Sequence, residues 1–243
     1  MRKTIKNAVV TLLLLTLGAS TAFLAYLHFF ATDDQGLSGE WTADLDMTEQ
    51  AAITAYNWLQ DIEAVSVSYE EMLSYMQELT IQVKMKIEQT DRAKGIFSCS
   101  ISQEDYDACN QAAYEAFAVA FRELLTERLN MAGYTGSTDG EAIEALVMET
   151  FGMPTVSYLM SYGPALLPSL EDLQAEYGGS GTYETAEGIL TRLFDTGASS
   201  AVKAEYYICV DSHLILSGTV NSASGDSLFD DYPVIYTLEQ PQD

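Results

Sequence analysis

The stretch Leu37-Ser-Gly-Glu-Trp-Thr-Ala-Asp-Leu-Asp46 opens the folded part of the chain and sets its pattern. Trp41 lies on one face with Ala43 and Leu45, while polar residues take the positions between them. This period of two is typical of a β-strand with one buried face. A tryptophan near the start of such a strand usually closes one end of a β core, and a glycine lets neighbouring backbone come close. We therefore assign structural roles to Gly39 and Trp41.

Further segments show the same strand signal. The clearest runs from Leu79 to Ile87, where apolar residues alternate with polar or charged ones. The other predicted strands are residues 96–101, 181–185, 189–195, 203–210, 214–220 and 232–239. Together with the opening stretch they give eight strands, three before residue 102 and five after residue 178.

Between these two groups of strands, residues 102–178 show helical patterns whose starts carry capping residues. Ser102, for example, is followed by acidic residues, as is typical of a helix N-terminus. We interpret this span as a helical insertion between strands. Two shorter helices are predicted between the opening stretch and the next strand. The first has Ile53, Tyr56 and Leu59 as its apolar stripe with Ala52 beside them, and the second is capped at Ser68.

Residues 8–31 indicate how the chain is placed in the cell. The run is uncharged, and as a helix it would extend about 36 Å at about 1.5 Å per residue, more than a hydrocarbon core of about 30 Å. Arg2, Lys3 and Lys6 precede it, which favours a cytoplasmic N-terminus and an exported C-terminal domain. We expect an uncleaved anchor and hence a single-pass protein of the cell membrane. A cleaved signal peptide ending near Ser20-Thr21-Ala22 is the alternative.

The charge of the exported part bears on its partners. The chain has 11 basic and 36 acidic residues, and three of the basic ones precede the apolar run. The remainder therefore carries 8 basic against 36 acidic residues, a net charge of −28. Such a surface repels nucleic acids and anionic lipid headgroups. We expect no nucleic-acid partner and interpret the charge as a means of solubility, with a cation-binding role as the alternative.

The motif Gly39-Glu40-Trp41, the count of eight strands and their hairpin order together resemble the lipocalin-type (calycin) barrel. The pattern is also similar to that of small exported proteins of Gram-positive bacteria. The resemblance implies a closed antiparallel barrel in which the first and last strands meet, so that Trp41 contacts the last strand around Ile235 or Thr237. A barrel of this size holds either packed side chains or one small ligand.

These features predict an α+β protein in two parts. Residues 1–36 form a basic cytoplasmic tail and an N-terminal transmembrane helix. Residues 37–243 form one extracytoplasmic domain, an antiparallel lipocalin-like β-barrel of about eight strands with a large helical insertion. The barrel strands lie within residues 38–101 and 180–240, and the insertion spans residues 102–178.

Few side chains are suited to catalysis or to metal binding. The two histidines are His28, within the apolar run, and His213, in a predicted hairpin turn. No Ser-His-Asp set, Cys-His pair or zinc motif can be assembled from them. Adjacent carboxylates occur at Glu70-Glu71, Glu104-Asp105 and Asp230-Asp231, mostly near predicted helix starts, where the helix dipole favours them. We therefore assign no catalytic, metal-binding or cofactor-binding residue.

The three cysteines, Cys99, Cys109 and Cys209, cannot all pair within one chain. Cys99 alternates with Phe97 and Ile101, which is typical of a small buried hydrophobic residue. A bridge between Cys99 and Cys209 is the alternative, and it requires their two strands to be close.

The pattern favours a binding module over an enzyme. The motifs of a barrel and the 15 tyrosines and 9 phenylalanines lead us to expect a small apolar or amphiphilic ligand, or an envelope partner. The sequence does not identify the ligand-binding residues. One alternative is a structural or interaction protein of the envelope, with a filled barrel and an insertion that docks a partner. The other is a hydrolase built on a carboxylate pair.

Overall fold

The computed structural model describes residues 36–60, 67–195, 200–220 and 233–239. The predicted membrane segment, residues 8–31, lies outside these ranges. Among the described helices, none is both long and apolar enough to cross a membrane.

The strands and helices of the described ranges follow one another in the predicted order. The strands are β1 (Gly39–Asp46), β2 (Thr80–Asp91), β3 (Lys94–Ile101), β4 (Gly179–Ala186), β5 (Ile189–Asp195), β6 (Ser200–Val210), β7 (His213–Thr219) and β8 (Val234–Leu238). The helices are α1 (Thr48–Gln60), α2 (Tyr69–Tyr75), α3 (Gln103–Met131), α4 (Gly140–Phe151), α5 (Thr155–Tyr162) and α6 (Leu170–Tyr177). Helices α3 to α6 all lie between β3 and β4.

The strands form a closed barrel in which each strand pairs antiparallel with the next one along the chain. β8 completes the ring by pairing with β1, where Thr42 lies opposite Thr237 and Trp41 lies opposite Leu238. The predicted α+β class is therefore confirmed, as is a closed antiparallel barrel with three strands before a group of helices and five after it.

Because neighbouring strands are antiparallel, their connections alternate between the two ends of the barrel. The end that carries the start of β1 and the short β2–β3, β4–β5 and β6–β7 turns is called the hairpin end below. The opposite end carries α1 and α2, which join β1 to β2, and α3 to α6, which join β3 to β4. This second end is called the helix end.

Trp41 and Gly39 lie near the hairpin end, where the first and last strands meet. Trp41 is 1% exposed, and its Nε1 donates a hydrogen bond to the carbonyl of Leu37 at 2.8 Å. Gly39 has a φ of +152°, in the region that favours glycine, and a Cβ added there would lie 2.3 Å from Leu238 Cδ1. The indole is therefore packed and hydrogen-bonded inside the core. It lies opposite Leu238 of the last strand and not opposite the predicted Ile235 or Thr237, which are on the exposed face of β8.

Buried side chains fill the barrel interior. The alternation predicted for β2 is confirmed, since Ile81, Val83, Met85 and Ile87 are all at most 2% exposed. The other strands contribute the buried residues Ala43, Leu45, Phe97, Cys99, Ile101, Tyr183, Leu190, Leu214, Leu216 and Tyr236. The interior is thus a packed core of mostly large side chains.

The buried face of α1 differs from the predicted stripe. Ile53 is 46% exposed, whereas Ala51, Ala52, Ala55 and Leu59 are all completely buried. A face of alanines lets the helix backbone come close to its neighbours, so small residues occupy the contact and the bulkier Ile53 points to solvent. The predicted inclusion of Ile53 in the buried face was therefore wrong.

The insertion helices belong to the same core as the barrel. Ser102 caps α3 as predicted, since its Oγ accepts a hydrogen bond from the Asp105 N–H at 2.9 Å. Further along α3, Ala113 and Phe117 are completely buried in the hydrophobic cluster that also contains Trp41. The insertion therefore interrupts the succession of strands along the chain, but its helices do not form a separately packed unit.

Candidate binding site at the helix end of the barrel

A pocket of about 470 Å³ lies at the helix end, where β4 and β5 separate. The pairing of β4 with β3 already includes Gly179, opposite Cys99, whereas its pairing with β5 starts only at Gly181, opposite Phe194. One backbone edge of Gly179 and Ser180 is therefore turned toward the pocket rather than toward β5.

Apolar and charged groups share the walls of this pocket. The wall formed by α6 and the start of β4 comprises Gln174, Ala175, Glu176, Gly178, Gly179 and Ser180. The opposite wall comprises Phe194 and Asp195 from β5 and Ala201, Val202 and Lys203 from β6. Gly179 has a φ of +119°, and a Cβ there would lie 2.9 Å from the Phe194 ring, so glycine lets that ring form part of the wall.

An ion pair is buried in the barrel interior, close to Phe194 and Lys203 of the pocket wall. Arg192 of β5 and Glu205 of β6 are only 5% and 1% exposed. Glu205 Oε2 accepts two hydrogen bonds from Arg192, one from Nε at 2.9 Å and one from Nη2 at 2.6 Å. Arg192 Nη1 also lies 3.8 Å from Cys99 Sγ. These contacts compensate two charges that would be very costly to bury alone.

Aromatic rings enclose the guanidinium group. Its central carbon lies 5.7 Å from the centroid of Phe97 and 5.4 Å from that of Phe194, within range of cation–π attraction. The two rings meet edge to face, with centroids 5.0 Å apart. Burial lowers the pKa of Arg192, but the charge and hydrogen bond of Glu205, together with Cys99 and Tyr236, raise it, so the net pKa is raised. Arg192 is therefore a permanent positive charge behind Phe194.

Lys203 connects the buried pair to the pocket. Its Nζ lies 3.8 Å from Glu205 Oε1 and 3.6 Å from Glu176 Oε1. Charges thus alternate from the interior to the rim in the order Arg192, Glu205, Lys203 and Glu176. A molecule in the pocket would meet an ammonium group whose charge is already shared between two carboxylates.

The thiol and phenol near the ion pair are held in their neutral forms. Burial raises the pKa of the Cys99 thiol, although the charge of Arg192 opposes this shift, and burial also raises the pKa of Tyr236. Cys99, Cys109 and Cys209 are all free thiols, so the alternative of a Cys99–Cys209 bridge was wrong. Neither group near the pair is poised as a nucleophile at neutral pH.

The pocket is chemically suited to hold a small molecule by its shape and by hydrogen bonds. Phe194 offers an apolar surface, while Glu176, Lys203 and Asp195 place charges of both signs around it. The edge of β4 adds backbone donors and acceptors. In the part of the chain that the structure describes, no group of three or more His, Cys, Asp or Glu residues is placed to hold a metal ion.

The residues that were singled out from the sequence do not line this pocket. His213 is exposed at the start of β7, at the hairpin end. The Glu70-Glu71 and Glu104-Asp105 pairs lie in the first turns of α2 and α3, and Glu71 completes a capping box. His28 and the Asp230-Asp231 pair lie outside the described residues. Trp41 and Gly39 are near the barrel end opposite the pocket.

Arg192, Lys203 and Glu205 were not predicted as site residues, although the sequence carries a signal for two of them. Arg192 alternates with Leu190 and Phe194, so it lies on the face of β5 that should be buried. Glu205 likewise lies on the inward face of the next strand, β6. Opposite charges on the buried faces of two consecutive strands indicate a buried ion pair, because neither charge is tolerated there alone.

Comparison with known proteins found no matching family model, no similar curated protein and no similar solved structure.

Proposed function

We propose that this chain is a membrane-anchored, extracytoplasmic binding module that holds a small amphiphilic ligand at the helix end of a lipocalin-like barrel. The observation that carries the proposal is the pocket of about 470 Å³ between α6 and strands β4 to β6. This volume lies within the range of about 300–1,000 Å³ that is typical of small-molecule sites. No catalytic role is proposed.

The packing of the interior supports a site at the end of the barrel rather than along its axis. Large buried side chains occupy the interior, and the Arg192–Glu205 pair lies directly behind Phe194. A ligand that passed deeper than Phe194 would have to separate two buried, hydrogen-bonded charges, which is strongly unfavourable. The pocket reaches the rim without that cost.

The walls of the pocket favour a particular class of ligand. An apolar part would pack against the ring of Phe194 and against Val202, while a polar part would lie among Glu176, Lys203 and Asp195. Two of these groups are negative and one is positive, so the polar wall is complementary to a neutral or zwitterionic head group. The strongly negative domain disfavours a polyanion.

The binding test uses a variant that fills the pocket. Mass spectrometry would be used to measure small molecules extracted from the full-length chain after purification in detergent. We expect an amphiphile to be retained by the parent and depleted in Ala201→Trp by about tenfold, which corresponds to about 1.4 kcal/mol. Val210→Trp, an exposed position at the other end of β6, is the matched control and should retain the parent level. Equal retention in all three proteins would refute the pocket as the ligand site.

The placement of the domain outside the membrane rests on residues 8–31 and on the basic residues before them. Protease added to intact cells or protoplasts should therefore digest the C-terminal domain. Protection of the C-terminus in that assay would contradict the proposed orientation. A cytosolic protein should stay intact in the same samples, which controls for lysis.

A second candidate is a structural or interaction protein of the envelope, and the filled barrel interior favours it. In this case the barrel is a rigid support, and the helices at its end carry the contact with a partner. The extraction experiment separates the two candidates, since an interaction protein retains no small molecule whose amount depends on Ala201.

A further inference from the structure

Aromatic rings form a continuous series from the core to the surface of the insertion. Trp58 of α1 lies 6.3 Å from Phe121 of α3, measured between ring centroids. Phe121 contacts Tyr158 of α5 at 6.1 Å. Tyr158 in turn lies 4.3 Å from Phe151 of α4 and 5.4 Å from Tyr162. These five residues are called the aromatic ladder below.

The outer part of the ladder is open to solvent. Phe121 is nearly buried at 7% exposure, but Phe151 and Tyr162 are 44% and 64% exposed. Met148, one turn before Phe151 on α4, is 43% exposed. We call Met148, Phe151, Tyr158 and Tyr162 the ladder end. Large apolar side chains that are exposed next to one another are typical of a recognition surface, unlike single exposed ones.

The ladder end is attached to the core by ring contacts. The inner rings of the ladder, Trp58 and Phe121, belong to or pack against the core, and tilted ring contacts join the outer rings to them. Rings fixed in this way lose little conformational freedom when a partner binds, so more of the contact energy is available for affinity.

The helices that carry the ladder end are strongly acidic. Residues 103–162 contain 10 acidic and 2 basic residues, a net charge of −8. One of the two basic residues, Arg122, forms a salt bridge with Glu144 at 3.0 Å. The exposed Glu149 lies on α4 next to the ladder end. An apolar surface in such a setting attracts positively charged partners.

We propose that the ladder end docks a cationic amphipathic segment of a partner protein. Apolar side chains of that segment pack on Met148 and Phe151, while its Lys or Arg side chains lie over the Tyr162 ring and near the helix carboxylates. A neutral glycan would gain from the rings but nothing from the charge of −8, and anionic lipid or nucleic acid would be repelled. This proposal is independent of the ligand pocket.

The experiment measures binding of a short fluorescein-labelled peptide of Lys, Leu and Ala with one charged and one apolar face. The full-length chain is held in phosphatidylcholine nanodiscs, and empty nanodiscs give the background. We expect the parent to bind this peptide with an affinity that falls as salt is raised. A peptide with Glu in place of Lys should not bind. The double variant Phe151→Ser, Tyr162→Ser should bind the Lys peptide about tenfold more weakly or worse.

The control removes a similar exposed apolar area at another site without changing the net charge. Ile208 and Ile235, on the outer face of the barrel, are 54% and 50% exposed. The double variant Ile208→Ser, Ile235→Ser should bind within about twofold of the parent, because non-specific charge attraction is the same in both double variants. Tyr162→Lys adds a single exposed charge and should also weaken binding, so the test does not depend on the folding of the double variant.

Equal binding by the parent and both ladder variants would overturn the proposal, since only non-specific attraction to a negative protein would then be left. Equal weakening in the barrel-face variant would overturn it too. A chitin oligosaccharide serves as the second probe. If it binds the parent and not the ladder variants, while the Lys peptide does not bind, the surface recognises a glycan and the proposal is wrong.

Discussion

Replacement of Glu205 by leucine tests the physical role of the buried ion pair. The substitution keeps a side chain of similar size but removes both hydrogen bonds that Arg192 donates to Oε2 at 2.9 and 2.6 Å. It leaves a guanidinium that is 5% exposed without its carboxylate. Breaking a buried pair in this way typically costs about 3–5 kcal/mol. That is a large share of a total unfolding free energy of about 5–15 kcal/mol.

The double variant Arg192→Met, Glu205→Leu makes the test specific. It removes both charges and leaves apolar side chains beside Phe97 and Phe194, which line the guanidinium. Replacement of a buried pair by well-packed apolar residues is often neutral or stabilising. We therefore expect the double variant to recover most of the stability that Glu205→Leu loses.

Urea unfolding of the full-length chain, followed by tryptophan fluorescence, gives the free energies for this cycle. The expected result is a large coupling energy of about 3 kcal/mol between the two positions. Additive effects, with the double variant less stable than either single variant, would refute the reasoning. Each residue would then contribute to stability independently, and the two would not compensate each other's buried charge.

Three further outcomes follow from the packing and the titration behaviour. Trp41→Ala should cost about 3–5 kcal/mol in urea unfolding and Trp58→Ala less, because Trp58 is only partly buried; equal costs would contradict this. Burial raises the pKa of the Cys109 thiol from 9.0 to about 11. Its thiolate fraction near pH 8 is then about 100-fold below that of an ordinary thiol, so alkylation followed by mass spectrometry should be correspondingly slow, and labelling at the unfolded rate would count against the shift. Replacing residues 103–177 with a Gly/Ser linker should abolish cooperative unfolding, since α3 is part of the core and the change in loop length alone costs only about 1 kcal/mol.

The strands could be predicted because a barrel strand has one face toward the core and one toward solvent. In β2 this requirement produces a strict alternation of apolar and polar residues. A shift of the strand pairing by one residue would turn every apolar side chain outward. Trp41 could be placed for the same reason. Closure of the barrel makes the last strand its neighbour, as predicted, but the register does not follow from closure: Trp41 lies opposite Leu238, whereas the predicted Ile235 and Thr237 are on the exposed face of β8.

The buried face of α1 could not be predicted with the same ease. A helix offers more than one plausible apolar face, and the partner decides which one is used. Here the contact needs close approach, so Ala51, Ala52 and Ala55 are buried and Ile53 is not. Hydrophobicity alone favours the larger residue, whereas packing distance favours the smaller ones.

The pocket depends on features with no local signal. It exists because β4 pairs with β3 from Gly179 but with β5 only from Gly181, and because α6 lies beside that gap. Register offsets of this kind are set by the whole barrel and not by the residues at the gap. The charges behind the pocket are different, since Arg192 and Glu205 could have been found from their inward positions on consecutive strands.

The two ends of the barrel are closed by different physical means, and this difference explains where the pocket lies. At the hairpin end, Trp41 closes the core from within a strand, and strands pair at a spacing of about 4.8 Å that leaves no room between them. At the helix end, α6 packs against β3 as a separate layer. Packed layers lie about 10 Å apart, so contact between them depends on side-chain size. Gly178, Gly179 and Ser180 have no side chain or only a small one. Side chains therefore do not fill the space beside them, and a pocket results.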